Sequence, residues 1–217
     1  MAFPELSISS TPLTQADADA LVLALPPLDE TEELLAEWPG LAAALAGAGF
    51  VGSPGSTTRV ALPDVTALPV FAVGTGADPS AAAVRDAVGA AVRTTTGFAH
   101  LAVGAPGLGD DRWPAVAEGA LLGGYRFDDY KKTTSPARAE HVSLHGAPAE
   151  ADASLPRART VAAAAALVKD LVNTPAQWLG PQDLAEAAQG AVADLPVEVT
   201  VLDETCLLYT SDAADEE

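Results

Sequence analysis

The chain has 217 residues, and 11 Lys and Arg face 30 Asp and Glu, for a formal net charge of -19. That balance argues against phosphate-backbone binding, which needs clustered cations to displace counterions, and the first 58 residues hold eight acids and no base. Cys206 is the one cysteine, so an internal disulfide framework and a cysteine-built zinc site are excluded, and no stretch approaches the roughly 20 apolar residues of a membrane span.

Short apolar runs alternate with longer helical patterns, as in an α/β layer fold. Strands are predicted at Leu6–Ile8, Ala20–Ala24, Thr58–Leu62, Val70–Val73, Leu101–Val103 and His141–Leu144. Most are short and apolar, which suits a sheet covered on both faces. A helix is predicted over Glu32–Leu45, kinked or broken at Pro39-Gly40. A second runs from Ser80 to Thr95, with Val84, Val88 and Val92 at i+4 spacing, and a third from about Pro114 toward Tyr130. Residues 133–156 are rich in Ala, Pro, Ser and His, with 147–155 reading as a loop. A helix over Arg157–Val172 follows, with Val161, Ala165, Val168 and Val172 on one face, ended by Asn173-Thr174-Pro175. Gly180-Pro181 opens another helix to about Asp194, and the alternation of Val197–Leu202 predicts a strand. The expected organisation is a first α/β domain over 1–145, a linker over 146–156 and the start of a second α/β domain over 157–204. The last stretch, 205–217, breaks the pattern. Its peptide CLLYTSDAADE is similar to a read-through translation of a transposase adapter, so this tail is expected to be non-native.

Few residues offer chemistry. Val73-Gly74-Thr75-Gly76 and Gly104-Ala105-Pro106-Gly107-Leu108-Gly109 follow strands, where backbone amides can cradle a phosphate. Neither completes a dinucleotide fingerprint, and tight strand-to-helix turns are the better account. His100, His141 and His145 are the three histidines; His141 and His145 fall in a strand, about 13 Å apart, too far to share a metal. Asp110-Asp111 and Asp128-Asp129 read as solvated acids. Tyr125–Lys132 interleaves aromatics and bases, and reads as a helix end with its lysines near the negative pole of the dipole. No nucleophile elbow and no Cys-His arrangement occurs. These residues alone assemble no catalytic site.

The same segments resemble the leucyl aminopeptidase (cytosol aminopeptidase) family. Glu118-Gly119-Ala120-Leu121-Leu122-Gly123-Gly124-Tyr125-Arg126-Phe127 with Tyr130-Lys131 resembles the family's E-G-x-x-L-G-x-Y-x-F-x-x-Y-K pattern. Lys169-Asp170-Leu171-Val172-Asn173-Thr174-Pro175, then Leu179-Gly180-Pro181 and Leu184-Ala185, resembles its R-D-L-V-N-x-P…L-x-P…L-A connection, with Lys169 in place of the usual Arg. Phe50–Gly55 and Arg85–Ala91 match weaker patterns in the same order.

The resemblance implies a mixed α/β domain related to macro domains, its sheet flanked by helices, followed by a linker helix and the truncated beginning of a peptidase domain. In the full-length family it implies two divalent ions, Mn or Zn, held by Asp, Glu and Lys ligands, peptide substrates and a homo-hexamer. The family's active-site signature and its metal ligands are absent here. No residue of this chain is therefore assigned a catalytic, cofactor-binding or metal-binding role. The chain is expected to be inactive alone and to hold no metal, with a cytoplasmic location, no membrane association and nucleic acid an improbable partner. The alternative is a free-standing macro-like module that binds a nucleotide or ADP-ribose at loops such as Gly104–Gly109, or serves as an interaction module.

Overall fold

The computed structural model describes residues 3–30, 35–130 and 136–202. The tail 205–217, Lys131-Lys132 and the first residues of the helix predicted from Glu32 lie outside them. Two compact units divide the chain, residues 1–167 and 168–217.

All six strands predicted in the first unit form: β1 (Glu5–Ser9), β2 (Ala20–Leu25), β3 (Thr57–Val60), β4 (Val70–Gly74), β5 (His100–Gly104) and β6 (His141–His145). They make one sheet in the order β1-β6-β5-β2-β4-β3. Every pair is parallel except β3, which runs antiparallel to β4 at one edge. β2 lies in the middle, and all six of its residues are buried, since a strand covered on both faces can afford no polar alternation.

One face carries Val22, Val73, Leu101, Val103, Val142 and Leu144 against α2 (Ala81–Thr94) and α3 (Trp113–Gly124). The other carries Leu21, Leu23, Leu25, Val70 and Ala72 against α1 (Leu41–Gly47) with Trp38 and Phe50. Helix α1 begins after Gly40, whose φ of 80° is left-handed and ends any helix arriving from residue 35. Ser80 caps α2 by accepting the Ala83 N–H at 3.2 Å, which satisfies one of the orphan donors of the first turn.

Three expectations need correction. α3 stops at Gly124, short of Tyr130, because Tyr125 turns to extended geometry. The Arg138 guanidinium then donates to the freed carbonyls of Gly123 and Tyr125. In α4 (Leu155–Asn173) the buried stripe is Leu155, Ala158, Ala162 and Ala166. The valines that the sequence sets on one face are exposed instead, Val161 at 36%, Val168 at 59% and Val172 at 78%. Alanines allow the helix to lie close to its neighbours, so the inward face is the small one. Val197–Leu202 forms no strand and its residues are exposed, since alternation without a ladder partner leaves the backbone groups unpaired.

In the second unit, α5 (Pro181–Ala191) starts as expected at Gly180-Pro181. Asp183 accepts the Gly180 N–H at 2.8 Å. Asn173-Thr174-Pro175 ends α4, with the Thr174 hydroxyl donating to the Asp170 carbonyl at 2.7 Å.

Candidate functional site

The carboxyl ends of parallel strands are where open α/β sheets present their crevices. Here a cleft of about 260 Å³ opens above β2, β5 and β6, and its lining includes Thr11, Leu13, Glu37, Trp38, Trp113 and His145. Both tryptophans are buried, so they form walls rather than a mobile lid.

The glycine turns at the carboxyl ends of β4 and β5 are packing devices. A Cβ on Gly74 would lie 2.2 Å from the Ser53 carbonyl oxygen. The Gly74, Thr75 and Gly76 amides donate to Ser56, Leu25 and Gly52 carbonyls at 2.9, 2.9 and 3.0 Å. A Cβ on Gly104 would lie 2.6 Å from the Leu13 side chain. In the second loop, Leu108 N–H closes a turn on the Ala105 carbonyl at 3.2 Å, with Gly107 at φ 79°.

The histidines meet where sequence separation gave no hint of it. Glu5, His141 and His100 stand in register across β1, β6 and β5. Asp19 closes the row, its Oδ2 accepting the Ala99 and His100 N–H groups at 2.9 and 2.8 Å. The His100 and His141 rings lie 4.3 Å apart between centroids. Two residues along, Ser7 Oγ is 2.9 Å from His141 Nε2, and Ser143 Oγ is 2.9 Å from both His100 Nε2 and His145 Nε2. His145 Nδ1 donates to the Thr11 carbonyl at 2.8 Å. Period-two spacing in β6 put His141, Ser143 and His145 on one face; the strand order, which sequence did not supply, brought His100 and Ser7 to them.

Burial lowers the His100 pKa below the ordinary 6.5, with His141 and His145 adding to the effect and Asp17 and Asp19 opposing it. The neutral ring is the form the fold favours. As pH falls below about 6.5, the unfolded chain takes up this proton more readily than the folded one. The contribution to stability is therefore complete above that pH and is lost as pH falls through the lowered value. Thermal midpoints should fall between pH 7 and 5, and His100→Gln should flatten that part of the profile; an equally steep profile in the variant would contradict the assignment.

The residues that carry the family resemblance join α2 to α3. Arg85 pairs with Glu118 at 3.7 Å. Gly119 and Gly123 back onto α2, where a Cβ would meet the Arg85 and Gly89 carbonyl oxygens at 2.5 and 2.3 Å. The described part of the aromatic-basic stretch, Tyr125–Tyr130, lies beyond α3 rather than at its last turn, with Phe127 and Tyr130 ring centroids 5.8 Å apart and Arg126 paired with Asp128. Asp111 is paired with Arg112 at 2.5 Å.

Among the described residues no group of three His, Cys, Asp or Glu could hold an ion, and the histidine nitrogens described above face serines and a carbonyl. Also among the described residues, no helix is long and apolar enough to cross a membrane.

Residues 22–134 match the model of the cytosol aminopeptidase family, N-terminal domain. The chain belongs to this family. Probable cytosol aminopeptidases from Leifsonia xyli and Clavibacter michiganensis are 41% and 38% identical over 94% and 95% of the chain. The chain spans about two-fifths of the length of these relatives, 42% and 43%. Tomato leucine aminopeptidase shares the fold at a TM-score of 0.79 and 20% identity, over 95% of this chain and 46% of that one. The bottromycin maturation enzyme BotP, in a structure with Mn, aligns at a TM-score of 0.64 and 26% identity, over 82% of this chain and 36% of its own. The cytosol aminopeptidase family therefore accounts for the fold and for the Glu118–Phe127 pattern. The free-standing nucleotide-binding alternative gains no support from these matches.

Proposed function

We propose that this chain supplies the N-terminal domain of a two-metal aminopeptidase that removes N-terminal residues from peptides, and that it is inactive alone. Residues 1–145 form that domain, 146–156 the linker and 157–204 the beginning of the peptidase domain. The observation that carries this reading is the family match over residues 22–134 joined to a span of about two-fifths of the relatives. The whole enzyme would use two divalent ions, Mn or Zn, and the solved BotP structure with Mn favours this kind of metal. It would act in the cytoplasm as a hexamer.

The second unit is consistent with a piece that has more to bury. Val172, Trp178, Leu195 and Leu202 are 78%, 58%, 55% and 62% exposed, more apolar surface than a finished helical layer leaves open. The purified chain with Mn²⁺ should show no hydrolysis of leucine p-nitroanilide. A chimera joining it to the remainder of the Leifsonia xyli relative should recover hydrolysis that a chelator abolishes. Chelator-sensitive turnover by the chain alone would overturn the proposal, as would a folded chimera without activity.

A further inference from the structure

The polar chain His100–Ser143–His145 has a direction, and its fixed end sets it. The Thr11 carbonyl can only accept, so His145 Nδ1 carries the hydrogen. In the neutral ring Nε2 is then an acceptor, and the Ser143 hydroxyl, 2.9 Å away, donates to it. Having given its one hydrogen, Ser143 Oγ accepts from His100 Nε2–H at 2.9 Å. His100 is thus the Nε2–H tautomer, and its Nδ1 is the open basic position of the chain. Ser143 and His145 are each 4% exposed, whereas His100 is only partly buried.

We propose that His100, Ser143 and His145 form a proton relay from the amino-terminal edge of β5 to the buried imidazole in the floor of the strand-end cleft. A proton from water binds His100 Nδ1. The His100 Nε2–H bond breaks as a Ser143 O–H bond forms, and the hydrogen Ser143 held passes to His145 Nε2. The products are a neutral His100 carrying its hydrogen on Nδ1 and a His145 imidazolium still donating to Thr11. One proton is gained overall, and no heavy atom has to move.

The surroundings of His100 suit a ring that passes a proton on rather than keeps it. Burial and the neighbouring His141 and His145 hold its pKa down, against Asp17 and Asp19 from the segment leading into β2. Glu5 on β1 flanks His141 in the same row. At the far end, Glu37 lines the cleft that His145 enters, so a charge arriving there has a carboxylate in the same cavity. His141 stands off the path, because its Nε2 faces Ser7.

Nitrogen-15 NMR of the histidine rings in the full chain tests this. At pH 8 the unaltered protein should show His145 as the Nδ1–H tautomer and His100 as Nε2–H. At pH 5.5 the exchange of the His145 Nε2 hydrogen with water should be at least tenfold slower in Ser143→Ala, and within about threefold of the unaltered rate in Ser143→Thr, which keeps the hydroxyl. Unchanged exchange in Ser143→Ala would overturn the relay. The opposite tautomer at either histidine would overturn it as well, and that reading needs no variant to fold.

Discussion

Gly123→Ala is expected to destabilise the first unit by about 3 kcal/mol, although helix propensity alone would favour alanine by about 1 kcal/mol. The conflict is decided by what the new methyl meets. A Cβ at Gly123 would stand 2.3 Å from the Gly89 carbonyl oxygen and 2.7 Å from its Cα. Neither atom belongs to a side chain that could swing away, so α2 and α3 would have to separate along their length. The helices carry Val84, Val88, Val92, Val116 and Leu121 into one core, and parting them would open cavities there. Gly119→Ala should behave in the same way, with its Cβ 2.5 Å from the Arg85 carbonyl. Gly190→Ala in α5 is the control, since nothing lies within 4 Å of its Cβ, and it should be neutral or mildly stabilising. Urea denaturation midpoints compare the three. If Gly123→Ala matches or exceeds the unaltered protein, the close approach of the two helices is wrong.

That contact explains why a pattern can identify a family without marking its chemistry. Glu118, Gly119 and Gly123 are the specific letters of the resemblance, and here they hold two helices together by an ion pair and backbone approach. The six strands of the first unit were legible because each is an apolar run between turn residues, a signal that survives whatever the strand order is. The inward face of α4 was not. Valine outranks alanine on any hydrophobicity scale, yet Ala158, Ala162 and Ala166 are the buried residues, and closeness of packing is a tertiary property. Val197–Leu202 failed for the opposite reason: its alternation is sound, but a strand exists only by pairing. The histidine row needed strand order as well as spacing. Glu5, His100 and His141 are far apart in sequence and become neighbours only because β6 inserts between β1 and β5.

Gly74→Ala separates the two readings of the first glycine turn, which expect opposite things of it. A turn built to cradle phosphate keeps successive amides free and aimed at the ligand. In that case alanine would weaken phosphate binding while leaving the fold nearly intact, and inorganic phosphate would raise the thermal midpoint of the unaltered chain. Here the three amides of Gly74, Thr75 and Gly76 already donate to carbonyls, so no donor of that run is left to aim. The Gly74 Cβ would also fall 2.4 Å from Ser56 Oγ and 2.5 Å from the Gly52 carbonyl carbon, besides its 2.2 Å approach to Ser53. Ser56 could rotate, but the backbone of residues 52–53 could not. That backbone is itself pinned, because Gly52 sits at φ 73° with its own Cβ position 2.4 Å from the Pro26 carbonyl oxygen. Gly74→Ala should therefore cost about 3 kcal/mol, and Gly52→Ala at least as much, with overpacking and a left-handed backbone acting together. Millimolar inorganic phosphate should leave the thermal midpoint of the unaltered chain where it was. A stable Gly74→Ala protein, or a phosphate-dependent rise in that midpoint, would return the turn to the class of anion sites.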